Sequence, residues 1–275
     1  MDVERLLYWI TERQQIYQLK MSGHPKPWTI DPILKTYRFC NVYREQDTVT
    51  KWIADNWRRP HADDPDLWYS MVVARLANLP STLAVLGYAP SPQRFMEVLT
   101  ELAARGEKVF NSAYIVSTNG RAMPKPEYLM KEVLEPLWAA RAEIRPKRGE
   151  TLATGAARLV KHNGMGTFMT GQVIADTKYV GVLASAPDWS TWAFSGPGSR
   201  RGLNIVFEKP TEAPWKEQAW HEALLRVRDT VNFSLPQHME KLHAQDMQNC
   251  LCEYSKYMKA LTGVGRPKCH YPGAA

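Results

Sequence analysis

GQVIADTKYVGVLASAPDWSTWAFSGPGSRRGLN (Gly171–Asn204) is the stretch whose reading decides the fold. Gln172, Asp176 and Tyr179 recur at the steps that place side chains on one face of a helix. Trp189 and Trp192 follow, and then Gly196-Pro197-Gly198 precedes the pair Arg200-Arg201. A glycine-rich turn lets backbone approach a ligand closely, and guanidinium forks suit phosphate oxygens. The same residues also describe a solvated helix face followed by a surface loop, and spacing alone leaves both readings open.

Working outward, helical periodicity recurs on both sides. Val3, Leu6, Leu7, Ile10 and Tyr17 give a first amphipathic helix with Asp2 as its cap, and Asp31-Pro32 opens a second. Tyr37–Ile53 reads as one helix, with Phe39, Val42, Tyr43, Val49 and Ile53 on one stripe and Asn41, Arg44, Thr48 and Lys51 on another. Asp66 caps an apolar helix in which Arg75 and Asn78 form a polar pair that needs partners or a cleft. Ser91–Ala104, Tyr128–Ile144, Thr151–Lys161, Trp215–Thr230 and Leu242–Leu261 are also helical in pattern. Lys108–Ser117 alone has strand character, ahead of the turn signal Asn119-Gly120, and predicts a small hairpin or extended loop. HNGMG (His162–Gly166) joins two helices, either as a glycine stop or as a turn that offers N–H groups to phosphate. The last helix sets Met247, Cys250, Leu251, Tyr254, Met258 and Leu261 on one face, and Asp246, Asn249, Glu253 and Lys256 on another.

Without repeats or a low-complexity linker, residues 1–275 read as a single mainly α domain. No apolar run is long enough to span a bilayer, and the acidic start does not suit a secretory signal, so a cytoplasmic protein is expected. Cys40, Cys250, Cys252 and Cys269 lack the paired spacing of a structural zinc site, and no metal or cofactor is expected. A formal charge of +7 and a pI near 9.2 point to a polyanionic partner. Basic clusters at Arg141–Glu150, Ser199–Gly202 and Lys256–Tyr271, interleaved with Tyr and Trp, suit phosphate contact with base stacking. The G-x-x-x-x-G-K-[ST] phosphate loop is absent, as are the dinucleotide and zinc-protease motifs.

YRFCNVYRE (Tyr37–Glu45), ARLAN (Ala74–Asn78), GQVIAD (Gly171–Asp176), GPGSRRGLN (Gly196–Asn204) and DMQNCLCEYSKYMK…GVGRPK (Asp246–Lys268) appear in this order along the chain. Together they resemble the phage α-glutamyl/putrescinyl-thymine pyrophosphorylases, amino acid:DNA transferases that share a helical module with 5-hydroxymethyluracil DNA kinases. The resemblance implies a helical fold related to helix-hairpin-helix DNA glycosylases. It implies a reaction in which an amino acid such as glycine, or a polyamine, displaces phosphate or pyrophosphate from the 5-methylene of a modified uracil. The partners are then double-stranded phage DNA carrying phosphorylated 5-hydroxymethyluracil and the free amine, met in the host cytoplasm.

Such a reaction needs a flipped base, cations for the departing phosphate and a base for the incoming amine. The resemblance puts Asp176, Glu253, Lys256 and Arg200 forward as catalytic. Asn41, Arg44, Asn78, Gln172, Tyr179, Arg201, Asn204 and Asn249 are the expected substrate-binding set, with Arg266 and Lys268 on DNA. Asp176 or Glu253 would take the proton, and Arg44, Arg200, Arg201 and Lys256 would hold the phosphate. Two other readings stay open: a non-catalytic DNA-binding subunit and a glycosylase-like excision enzyme.

Overall fold

The computed structural model describes residues 1–111 and 117–271. In chain order its α-helices are α1 (Glu4–Met21), α2 (Pro32–Thr36), α3 (Thr48–Ile53), α4 (Leu67–Ala77), α5 (Pro80–Leu86), α6 (Pro92–Ala104) and α7 (Lys125–Tyr128). They continue with α8 (Glu135–Ala139), α9 (Arg141–Ile144), α10 (Leu152–Leu159), α11 (Thr167–Thr177), α12 (Pro197–Val206), α13 (Glu217–Ser234) and α14 (Ala244–Leu261). Wider helical turns extend α3 through Ala54–Arg58 and link α7 to α8 through Leu129–Leu134. Among the described residues there is no sheet, and one isolated antiparallel bridge joins Tyr37 to His270. The mainly α expectation holds. Most of the expected hairpin, residues 112–116, lies outside the described residues; Lys108–Asn111 is irregular.

Several helix starts follow from their caps. The Asp31 carboxylate accepts from the N–H groups of Ile33 and Leu34 at 2.8 and 2.9 Å, with Pro32 at the first helical position. Ser91 and Thr151 cap α6 and α10 through the N–H groups of Arg94 and Thr154. Asp66 does not cap α4, because both its oxygens are taken by Arg145 at 2.7 and 2.6 Å.

The expected single helix over Tyr37–Ile53 is broken. Asp47 accepts from the Asn41 N–H at 2.9 Å, and the Asn41 side-chain amide donates to the Gln46 carbonyl at 2.8 Å. These local bonds compete with the helical ladder. A short 3₁₀ turn at Arg44–Gln46 results, and α3 starts only at Thr48.

The chain forms two compact units: Met1–Asp47 with Ala193–Ala275, and Thr48–Trp192. The core of the second unit surrounds α4, every residue of which is buried. Its Leu, Met, Val and Trp side chains each contribute about 1.5–3 kcal/mol of burial energy. The core of the first unit joins α1, α12, α13 and α14 through Trp9, Leu203, Trp220, Leu224, Met247 and Leu251.

GPGSRRGLN is a helix here, not a phosphate loop. Gly196 is the N-cap of α12, and Gly198 and Gly202 face α14 one turn apart. A Cβ on Gly198 would stand 2.4 Å from Cys252 Sγ, and one on Gly202 would stand 2.1 Å from the Leu251 carbonyl oxygen. The glycines therefore serve backbone-to-backbone packing rather than ligand approach.

Gly202→Ala should lower stability by ~1–3 kcal/mol through overpacking against backbone that cannot yield. Gly166→Ala, at a position with nothing within 4 Å, should cost under about 1 kcal/mol. Urea midpoints of both variants check this; equal midpoints would refute the close-packing account.

Candidate functional site

In the first unit, α1, the loop before α3 and the polar face of α14 bring charged side chains together. Glu253 sits on the buried side of α14, where its Oε2 accepts from the Cys40 N–H at 3.2 Å. Its Oε1 holds the Lys256 ammonium at 2.5 Å. Burial works against the charge on Lys256, but Glu253 outweighs it and raises the ammonium pKa above its ordinary value. Lys256 thus stays cationic while half of its side chain remains in solvent.

Asp47 is the group tuned furthest into the physiological range. Desolvation lifts its carboxyl from 3.8 to about 6, with Glu253 adding to the rise. The Asn41 N–H bond, Arg44 and Arg13 pull the other way. A carboxylate so poised can accept a proton near neutral pH.

Arg13 is 7% exposed, and its Nη2 donates to the Phe39 carbonyl at 3.2 Å and to Asn41 Oδ1 at 2.5 Å. Its Nε and Nη1 are buried without a hydrogen-bond partner among the described residues. Asp246 accepts from the Arg44 N–H at 3.1 Å and pairs with His243 at 3.0 Å, while Asn249 donates to the Asn41 carbonyl at 3.2 Å. Cys250 and Cys252 are pushed up, first by burial and then by neighbouring acids, so both stay thiols.

Asn41, Arg44, Asn249, Glu253 and Lys256, scattered in sequence, therefore fall in one cluster. Within it Asn41 has no free amide edge for a uracil: its Oδ1, Nδ2 and N–H are all engaged locally. Spacing does not single out Asp47 or Arg13. YREQD (Tyr43–Asp47) reads as ordinary helix surface, and Arg13 sits in a charged run of α1. The one available signal is the Asn41–Asp47 interval, which allows a local side-chain turn instead of a helix.

The other sequence-derived residues lie elsewhere. Asp176 belongs to the second unit and is fully buried, with both oxygens held by Arg75 Nε and Nη2 at 2.6 and 2.7 Å. Arg75 also donates to Thr50 at 3.0 Å and to Asn78 Oδ1 at 3.2 Å. Asn78 itself closes α4 in the left-handed conformation, φ 49°. This network answers the polar pair noted in an apolar helix: it ties α4 to α11 within the core and gives Asp176 a structural task instead of an open base position. Tyr179 does not continue the Gln172–Asp176 face, because α11 ends at Thr177; its ring carries Arg58 at 4.8 Å. Gln172 is half-buried on α11.

Arg200 spends its guanidinium on Ser195, the Trp215 carbonyl and Glu217, at 2.9, 3.1 and 2.7 Å. It fastens the start of α13 and is not aimed at a ligand. Arg201 pairs with exposed Glu212 at 2.7 Å and also acts on Cys252, one turn before Lys256. Asn204 is fully buried, with its amide committed to Thr211, Ala213 and Trp215, so it holds a loop rather than reads a base. Arg266 and Lys268 are exposed in the segment that bridges back to Tyr37. Among the described residues no group of His, Cys, Asp and Glu is arranged to hold a metal ion, and no helix is long and apolar enough to cross a membrane.

Residues 2–264 match the model of the family "5-hmdU DNA kinase, helical domain". A 5-hmdU DNA kinase of Bacillus phage SP10 is 30% identical over 226 residues, covering 72% of this chain and 35% of that protein. The chain thus spans about a third of the length of that relative. No solved structure matches it.

Removing one partner of the buried pair leaves an uncompensated charge, so Asp176→Asn and Arg75→Met should each cost ~3–5 kcal/mol of stability. Denaturant titration checks this, and an unchanged midpoint for Asp176→Asn would free that residue for a catalytic task. Asp47 gives a second test. Its folded carboxyl binds its proton more tightly than the unfolded one, so its contribution is present below 3.8 and lost as pH rises through about 6. Asp47→Asn should therefore gain stability relative to the parent across that window, read as the difference between the two stability–pH curves.

Proposed function

We propose a transfer reaction on modified DNA for this chain, which belongs to the family of 5-hmdU DNA kinase helical domains. The substrate is DNA carrying phosphorylated 5-hydroxymethyluracil, and the product is a thymine analogue aminated at its 5-methylene. Asp47 carries the reading: a carboxyl lifted to about 6 and a lysine kept charged, both interacting with Glu253, in a basic chain, pair a proton acceptor with a phosphate ligand. With no G-x-x-x-x-G-K-[ST] run in this sequence, the phosphate handled here is one already on the DNA.

The nitrogen lone pair of the incoming amine forms a bond to the 5-methylene carbon. The bond from that carbon to the phosphate oxygen breaks, and its electron pair leaves with the phosphate. The Asp47 carboxylate takes the proton that the nitrogen sheds. Lys256 and Arg201 meet the negative charge growing on the leaving group, and Glu253 acts through Lys256 by holding its ammonium. Arg266 and Lys268 supply sequence-independent phosphate contacts, each changing the salt slope of DNA binding by about one unit.

The test is single turnover on phosphorylated 5-hydroxymethyluracil DNA with glycine or putrescine, followed by nucleoside analysis. The parent rate should rise with pH through an apparent pKa of about 6. Asp47→Asn should lose that limb and about 10²–10⁴-fold in rate. Lys256→Ala should add ~2–4 kcal/mol to the barrier while leaving binding to unmodified DNA largely intact. The reaction is falsified if Asp47→Asn and Lys256→Ala both keep the parent rate. A second reading follows from the family match to a helical domain: the chain recognises modified DNA without altering it. Tight, modification-selective binding with no product base under any amine would establish that reading in place of the first.

A further inference from the structure

Arg13 lies on the buried side of α1, and its Nη2 serves two acceptors on one loop: the Phe39 carbonyl at 3.2 Å and Asn41 Oδ1 at 2.5 Å. Asn41 passes that hold onward. Its N–H donates to Asp47 Oδ1 at 2.9 Å, and its side-chain amide donates to the Gln46 carbonyl at 2.8 Å. Its own carbonyl accepts from Asn249 of α14 at 3.2 Å. Each polar group of Asn41 is therefore in use, and together the bonds fasten the 41–47 turn to α1 on one side and to α14 on the other.

The guanidinium stops one residue short of the carboxyl it serves. Its Nε and Nη1 are buried without a hydrogen-bond partner among the described residues, so no direct bond joins Arg13 to Asp47. The other acids of the cluster are committed elsewhere: Glu253 to Lys256 and the Cys40 N–H, Asp246 to His243 and the Arg44 N–H. In the second unit Arg75 grips both oxygens of Asp176 directly, and a fork of that kind strongly favours the charged carboxylate. At Asp47 a neutral amide stands between cation and acid.

We infer that Arg13 is a positioning residue: acting through Asn41, it holds the Asp47 carboxyl in place while leaving that group free to exchange a proton. The relay stands on its own hydrogen bonds; only its use, with Asp47 taking the proton of an incoming amine, rests on the transfer reaction proposed above. Asp47 interacts with Arg13 on α1, Arg44 on the 3₁₀ turn, Glu253 and Cys250 on α14, and Cys40 on the loop between. Burial pushes both thiols up, so they stay neutral, and the charges that count are two cations and one carboxylate. Losing Arg13 removes one of those cations and loosens the turn that supplies the Asn41 N–H. Both losses favour the protonated carboxyl.

Carboxyl-carbon NMR of the full chain without DNA tests the relay, with the Asp47 signal identified by its loss in Asp47→Asn. The parent midpoint is expected near 6. Arg13→Met should raise the proton affinity of Asp47 about three- to tenfold. Asn41→Ala should shift it in the same direction, and the double variant should go no further than the larger single change, because the two residues act in one line. Asn41 is only partly buried, so its variant carries the test if Arg13→Met does not fold. A parent midpoint in the variants would leave Arg13 a packing role alone and overturn the inference. So would a fall toward the ordinary carboxylate value, or shifts that add independently. In single turnover the rising pH limb should move with the NMR midpoint. A midpoint that moves while the limb stays in place would leave the relay standing and remove Asp47 as the proton acceptor instead.

Discussion

A charge cannot remain in an apolar core without a counter-charge, and Arg75 imposes that requirement at the centre of α4. Every other residue of that helix is buried with it, and the apolar ones drive the helix inward. The guanidinium is carried in with them, and isolated it would cost several kcal/mol. Asp176 on α11 meets it through two parallel bonds, and Thr50 and Asn78 take further donors. The pair adds little net stability over an apolar pair of equal volume. Its effect is on arrangement: once α4 is packed, α11 has one register in which the charge is satisfied.

The first unit treats charge differently. Its cluster is only partly enclosed, and there Asp47 keeps a choice of protonation state. Glu253 is held against Lys256 and Cys40, Lys256 reaches solvent, and Asp47 sits between a desolvating environment and two arginines. Desolvation outweighs those cations, leaving a carboxyl that titrates near neutrality. Full enclosure would have given another fixed pair, and full exposure an ordinary carboxylate. Intermediate burial is what makes proton exchange available.

Close helix packing sets where that cluster stands. Gly198 and Gly202 let α12 lie directly on α14, with Gly202 against the Leu251 backbone and Gly198 against Cys252. That contact fixes the face of α14 on which Glu253 and Lys256 are displayed and brings Arg201 within electrostatic range of Cys252. The basic pair in GPGSRRGLN divides accordingly: Arg200 braces α13 through Glu217, and Arg201, likewise half-buried, pairs with exposed Glu212 beside the cluster.

The sequence by itself determined the class of fold and many helix boundaries, because apolar periodicity, Asp31-Pro32, Ser91 and Thr151 act locally. It also marked Arg75 and Asn78 as polar residues needing partners, and Glu253 with Lys256 as one pair on α14. The tertiary structure decided what those residues do. Asp176 reads as a helix-face acid until α4 presents Arg75 to it, a contact 101 residues away in the chain. The glycines of α12 read as a ligand-approach turn until α14 lies against them. Asp47 carries no distinguishing spacing, since its proton affinity is raised by desolvation and by Glu253 on a distant helix. Periodicity reports which side of an element turns inward; partners across the core, and the dielectric they create, exist only once the chain has closed on itself.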